Sequence, residues 1–198
     1  GAYDLAFFFF LPNLTIASPL NEPELRNMMY TGQLPDKGTF VIRYPRGSGN
    51  IVDWRCEFEE LPVGKGRKLK DGEEIAVLSL GPIGTEVQKA ISIAELASLK
   101  DRPEATLNIA HYDMRFLKPI DEELLHEVGT KFKKVVTVED GALSGGLGSA
   151  VLEFFAEHHY PIEVKRIGIP DEFVTHGTIA ELRRTCHMDA LSIAEVLS

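Results

Sequence analysis

Arg43 and Arg46 flank a Tyr-Pro pair in the stretch VIRYPRG, 41–47. Two guanidinium forks at the end of a β-rich run suit a phosphate or a carboxylate, because each fork can donate two parallel hydrogen bonds. The same two side chains could equally pair with carboxylates on the surface of a protein of net charge −9. A second candidate is VEDGALSGGLGSAV, 138–151, where Glu139 and Asp140 precede Gly145, Gly146 and Gly148. Glycines ahead of a helix can cradle an anion with free N–H groups. The spacing matches neither the dinucleotide nor the Walker pattern, and two carboxylates beside the turn repel phosphate. A tight strand-to-helix turn accounts for it as well. A third candidate is HYDMRFLKPID, 111–121, with Asp113, Arg115 and Lys118. These could line a site at the carboxyl edge of a sheet, or form ion pairs that fix a domain contact. His176, before a glycine, could be a base or a structural residue near a cap. Cys186 and His187 are adjacent, and neighbours on a helix do not face each other, so a catalytic pair is not expected there.

These residues need a scaffold, and the pattern supplies one. Residues 14–17 read as a short buried strand. A helix follows, capped by Ser18 with Pro19 or by Asn21 with Glu24, with Leu25, Met28 and Met29 as its apolar stripe. Residues 39–43 form the next strand, so 14–43 make a β-α-β unit ending at the RYPRG corner. Residues 47–60 have no clear period and read as a linker. From Leu61 come a polar strand, an Asp71-Gly72 turn suggesting a hairpin, and the wholly apolar strand 75–80. Thr85 is placed to cap a helix whose buried face is Val87, Ala90, Ile91, Ala94 and Ala97. Strands are expected at 105–110, 135–139 and 162–167, and helices at 122–128, 145–158, 179–184 and 191–197. This alternation predicts an α/β fold: a three-layer α/β/α domain with a mostly parallel sheet, preceded by a partial β-α-β unit.

Composition narrows the partners. The chain has 198 residues, 44% hydrophobic and 26% charged, enough for a sizeable core. The negative charge argues against nucleic acid, which needs a basic face. The most apolar run, LAFFFFL at 5–11, is too short to cross a membrane and is expected to be covered in the intact protein. Cys56 and Cys186 have no metal-type spacing, and the six histidines, His158-His159 included, form no metal motif. A reducing compartment is the expectation. The start, Gly-Ala-Tyr-Asp, lacks an initiator Met and suggests a piece excised from a longer chain.

Taken together, PNLTIASPLNEPELRNMMYTG, VIRYPRG, LPVGKG, DMRFLKPID, VTVEDGALSGGLGSAV and IGIPDEFVTHGT resemble, in order and spacing, the C-terminal part of the 1-deoxy-D-xylulose-5-phosphate synthase family. The resemblance implies residues 1–50 as the tail of a thiamine pyrimidine-binding domain, 51–60 as a linker and 61–198 as a transketolase C-terminal-like domain. It implies a thiamine diphosphate- and Mg²⁺-dependent cytoplasmic homodimer. That enzyme condenses pyruvate with D-glyceraldehyde 3-phosphate, losing carbon dioxide, for isoprenoid, thiamine and pyridoxal synthesis. The cofactor motifs of the family lie in parts this chain lacks. So the resemblance implies no catalytic, cofactor or metal residue here and no activity for the chain alone. Arg46 matches the family arginine that contacts the substrate phosphate, and Arg43 is given no substrate role. Two departures are visible. Phe7–Phe10 replaces a stretch that usually holds an Arg and a small residue, and His187-Met188-Asp189 replaces Gly-Leu-Asp. Two rivals remain: another transketolase or 2-oxo-acid dehydrogenase β-type protein, and a stand-alone dimerisation or anion-binding module centred on 145–149.

Overall fold

A computed structural model describes residues 2–47, 49, 51, 53–101, 103–104 and 107–198. Two sheets organise the chain. The smaller begins with helix α1 (Asp4–Phe9), strand β1 (Leu14–Ala17), helix α2 (Glu22–Thr31) and strand β2 (Thr39–Ile42). β1 and β2 run parallel, Leu14 opposite Thr39 and Ala17 opposite Ile42, as a β-α-β unit requires. Asn21 is the N-cap of α2, its side chain accepting from the Glu24 N–H at 3.0 Å. Ser18 does not cap. It ends β1 and its hydroxyl donates to the Arg43 carbonyl at 2.9 Å, tying β1 to the chain after β2.

The larger sheet contains β3 (Arg67–Lys70), β4 (Ile75–Leu80), β5 (Ile109–Asp113), β7 (Lys134–Ala142) and β8 (Glu163–Ile169), ordered β3-β5-β4-β7-β8. All neighbours are parallel except the β3 edge. The expected Asp71-Gly72 hairpin is absent, because β5 lies between β3 and β4. Gly72 crosses beneath β5 so closely that a Cβ there would stand 2.1 Å from the Ala110 nitrogen. Every residue of β4 is buried, consistent with a central strand covered on both faces. The strand expected at 105–110 begins later, at Ile109, and Ala105 and Thr106 lie outside the described residues. Ser48, Asn50 and Val52 of the 47–60 stretch also lie outside them.

Helices cover both faces. α3 (Gly84–Asp101) and α7 (Ala190–Leu197) share one core with Val77, Val136 and Ile109. α4 (Glu122–Lys131) and α5 (Leu147–Glu157) share the other with Leu78, Tyr112 and Val135. Thr85 is no cap: its hydroxyl donates to the Pro82 carbonyl at 2.8 Å inside the turn that starts α3. Ala97 is exposed and Ser98 takes its place in the core, where its hydroxyl accepts the Leu107 N–H. Strand β6 (Phe116–Lys118) leaves the large sheet and pairs antiparallel with β1, so the small sheet is β2-β1-β6. α6 (Ile179–Thr185) closes the carboxyl side of the large sheet. α1 rests on β1 and β7, burying Leu5 and half-burying Phe8 and Phe9, while Phe7 and Phe10 stay 60% and 68% exposed.

Candidate functional site

The RYPRG corner leaves β2 at the carboxyl edge of the small sheet, beside the carboxyl ends of β7 and β8. A cleft of about 480 Å³ opens there, with Arg43, Tyr44, Arg46, Asp140, Arg183 and Cys186 in its walls. Open α/β sheets bind ligands at such edges because the helices that follow the strands begin there and the loops are free to vary. The two arginines of the corner have different roles. Arg43 is mostly buried, its guanidinium 3.4 Å from the Asp140 carboxylate, and its backbone N–H donates to the Ala17 carbonyl at 2.9 Å. It therefore pins the corner to the end of β7. Arg46 is exposed and makes no hydrogen bond or ion pair with any other described residue. Its fork is free for an anion.

The far wall is α6, whose start is set by a reciprocal capping box between Thr178 and Glu181. Three residues apart at this helix, Arg183 and Cys186 share a face and both line the cleft. Arg183 sets one terminal nitrogen 3.4 Å from Glu86. Its Nε is buried and has no partner among the described residues. Sequence reasoning passed over Arg183. The visible signal was the capping box, which fixes the helix phase and hence which residues share the inward face. Burial, then Glu172 and Asp140, push the Cys186 thiol above its ordinary value, so it is a thiol here and no thiolate nucleophile. His187 turns outward at a left-handed C-terminal position, and His176 is exposed on the loop before α6.

The glycine turn before α5 is filled from within. Gly145 takes a left-handed conformation and Gly146 is the N-cap, so the helix starts at Leu147. The amides of Leu147 and Gly148 donate to the two Glu139 oxygens at 2.8 and 2.9 Å. Glu139 is 1% exposed. Burial pushes its carboxyl up to about 7, against the pull of the two amides. Gly146 must be glycine, since a Cβ there would stand 2.0 Å from the Glu139 carboxylate. The N–H groups that would cradle a phosphate are thus occupied by the chain's own acid.

Asp113, Arg115 and Lys118 form contacts between the two sheets. Asp113 accepts from Arg67 Nε at 3.2 Å, and Arg115 Nε donates to Glu24 at 2.6 Å. Arg67 also reaches Glu24 at 3.0 Å, and Glu24 accepts the Leu20 N–H at 2.7 Å. Two buried acids from α2 and β5 thereby share two arginines. Burial, with Glu24 close by, raises the Asp113 carboxyl. Lys118 donates to the carbonyls of Phe9 and Leu11, at 2.9 and 2.6 Å, closing the C-terminal end of α1. Unforeseen is a buried Ser79–His111 pair, Oγ to Nε2 2.8 Å, in which burial lowers the imidazole to about 4 and keeps it neutral.

A larger, mostly apolar cavity of about 630 Å³ lies over α2 beneath Trp54 and Phe58. Its cation, Arg26, is already stacked on Phe58 at 3.9 Å and donates to the Cys56 carbonyl. With that cation engaged, the arginine cleft is the better candidate. Among the described residues no group of three or more His, Cys, Asp or Glu could hold a metal ion. No helix among them is long and apolar enough to cross a membrane.

The family described as transketolase, C-terminal domain, matches residues 64–193. Across its length the chain is 62% identical to a 1-deoxy-D-xylulose-5-phosphate synthase of Bacteroides thetaiotaomicron, covering 100% of this chain and 29% of that protein. It is 58% identical to the synthase of Phocaeicola vulgatus, covering 100% and 30%. With the synthase of Chlorobaculum tepidum it shares 40% identity, covering 98% and 29%. The chain thus spans roughly 30% of the length of the curated relatives it matches. Among solved structures, a split-gene transketolase in an inactive beta4 tetramer superposes with a TM-score of 0.80 at 29% identity, covering 100% of this chain and 61% of that one.

Proposed function

Because this chain belongs to the transketolase C-terminal domain family, we propose that it is the C-terminal portion of a 1-deoxy-D-xylulose-5-phosphate synthase. Its free Arg46 takes the phosphate of D-glyceraldehyde 3-phosphate. The reading rests on the match of the whole chain to synthases and, for the site, on Arg46 standing unpaired in the cleft while Arg43 beside it is tied to Asp140. A free guanidinium on a corner braced by an ion pair is preorganised: it binds an anion without first breaking a contact. Residues 1–50 act as the end of the pyrimidine-binding domain, 51–60 as a linker, and 61–198 as the C-terminal domain.

The parent enzyme uses thiamine diphosphate and Mg²⁺, and the thiamine supplies the nucleophilic carbon for decarboxylation and carboligation. The described residues of this chain do not fit that cofactor. The glycine turn before α5 is filled by Glu139, and no carboxylate cluster among the described residues suits a metal. Other parts of the enzyme hold the cofactor, and this chain supplies the phosphate clamp and the packing around it. The parent is a cytoplasmic homodimer acting on small molecules, with neither nucleic acid nor membrane as partner. The exposed Phe7 and Phe10 support a further protein surface over α1, and the net charge of −9 argues against nucleic acid.

The test is Arg46→Ala in the full-length synthase. Loss of one charge-assisted contact is worth about 1.5–3 kcal/mol, so KM for D-glyceraldehyde 3-phosphate should rise about tenfold or more. KM for pyruvate should stay within about twofold. An equal rise in both, or in neither, refutes the assignment.

A further inference from the structure

We propose that residues 170–177, the loop between β8 and α6, are a lid that folds over this cleft when Arg46 holds a phosphate monoester, with Phe173 as its inner face. The inference rests on the reading of Arg46 given above. Its own ground is a bare aromatic ring on an untied loop. Phe173 is 96% exposed, more than any other large apolar residue described, and it stands with Val174 in the wall of the same cleft as Arg46. Both ends of the loop are fixed. The Ile169 carbonyl accepts the Leu143 N–H at 3.0 Å, and the capping box at Thr178 sets the start of α6. Between these posts the Glu172 N–H donates to the Pro170 carbonyl at 2.8 Å, and the loop makes no hydrogen bond or ion pair with any described residue outside itself. α6, which follows, has no buried residue either. A segment with few buried contacts and no tie opens and closes at little cost, which is what a lid requires.

A fixed docking surface is built differently in this chain. Phe7 and Phe10 are also exposed, but they stand on α1, which Leu5 anchors in the core and Lys118 closes. Phe173 has no such brace. The cleft gives its loop somewhere to go. At about 480 Å³ it is larger than a triose phosphate, and its wall includes the apolar side chains of Ile169, Leu182 and Met188. Folding inward buries the Phe173 ring against that wall and takes its surface out of water. Expelling water also lowers the local dielectric, so the contact between the Arg46 guanidinium and a phosphate grows stronger. Closure and phosphate binding therefore favour each other, and the empty cleft leaves the loop open.

The experiment is limited proteolysis of the full-length synthase with chymotrypsin, which cuts after exposed aromatic residues; cleavage after Phe173 is followed by mass spectrometry. The rate of such a cut tracks the open population of the loop. Saturating D-glyceraldehyde 3-phosphate is expected to slow it about tenfold, as for a lid closed about nine-tenths of the time. D-glyceraldehyde without phosphate is expected to leave it unchanged, and Arg46→Ala to lose the protection. Phe173→Ala, checked by circular dichroism for an unchanged fold, is expected to raise KM for D-glyceraldehyde 3-phosphate about threefold or more while KM for pyruvate stays within about twofold. If the phosphate ester changes cleavage by less than about twofold while Arg46→Ala raises its KM, the lid falls and the Arg46 reading stands. Resistance of Phe173 to cleavage before any ligand is added also overturns the lid, since the ring is then already covered in the intact enzyme. Equal protection by unphosphorylated glyceraldehyde overturns it too. If Arg46→Ala changes neither KM nor protection, both readings fall.

Discussion

Replacing Glu139 with Gln should change how stability depends on pH. Glu139 is buried against the first amides of α5, and burial holds its carboxyl at about 7 against an ordinary 4.5. The folded state therefore binds this proton more tightly than the unfolded state does. Its contribution is fully present below about pH 4.5 and is lost as pH rises through about 7. At about 1.4 kcal/mol per pH unit, integration gives roughly 2–3 kcal/mol lost between about pH 5 and pH 8. Glutamine has nearly the same shape and does not titrate, so the variant lacks this loss. It keeps one oxygen for one of the two amides and turns its NH₂ toward the other, which lowers its stability by a pH-independent amount of about 1–3 kcal/mol. The informative quantity is therefore the slope. Urea unfolding of both proteins, at steps of about one pH unit from pH 5 to 8, gives the stability of the Glu139→Gln variant minus that of the parent. Asp113 and every histidine cancel from that difference. It should rise by roughly 2–3 kcal/mol toward pH 8. A change below about 0.5 kcal/mol would mean that the helix amides outweigh burial and hold Glu139 as a permanent carboxylate.

Gly72→Ala places a methyl 2.1 Å from backbone beneath β5, which only a shift of the sheet can relieve. It is expected to cost more than about 3 kcal/mol, seen as a large fall in Tm or loss of soluble protein. Glu24→Gln leaves Arg67 and Arg115 with Asp113 alone, and about 3 kcal/mol of lost stability in urea unfolding is expected; a loss under about 1 kcal/mol would show the four-charge cluster to be dispensable. Lys118→Met removes the donor that closes α1, so limited proteolysis should cut within residues 2–13 faster than in the parent while the rest stays protected. The purified 198-residue chain, supplied with pyruvate, D-glyceraldehyde 3-phosphate, thiamine diphosphate and Mg²⁺, should form no 1-deoxy-D-xylulose 5-phosphate by chromatography. Any sustained product would refute the view that the cofactor is held elsewhere.

Local pattern was enough for much of the architecture. The apolar run at β4 announces a strand buried on both faces, and its alternation with amphipathic helices implies parallel pairing with crossovers. Asn21 and Glu24 carry the start of α2 in their side chains, because a cap is a contact across three residues. The free Arg46 was legible as a residue type at the end of a strand. Its neighbour's engagement was not, because Arg43 and Asp140 are 97 positions apart and nothing local marks them as partners.

Tertiary structure decided the rest, wherever the outcome depends on which distant segment arrives. Asp71-Gly72 has the local chemistry of a hairpin, yet β5 inserts between its strands and satisfies both edges. The KP strand β6 could have extended the large sheet, but it pairs with β1 and joins the two sheets. The glycine turn has the amides of an anion site, and Glu139, eight residues before Leu147, takes them first. Arg183 entered the wall of the cleft only when folding brought α6 to the RYPRG corner. Periodicity reports which face of an element is buried. It does not report what lies against that face, because that is set by long-range packing and by the competition of all segments for the same partners.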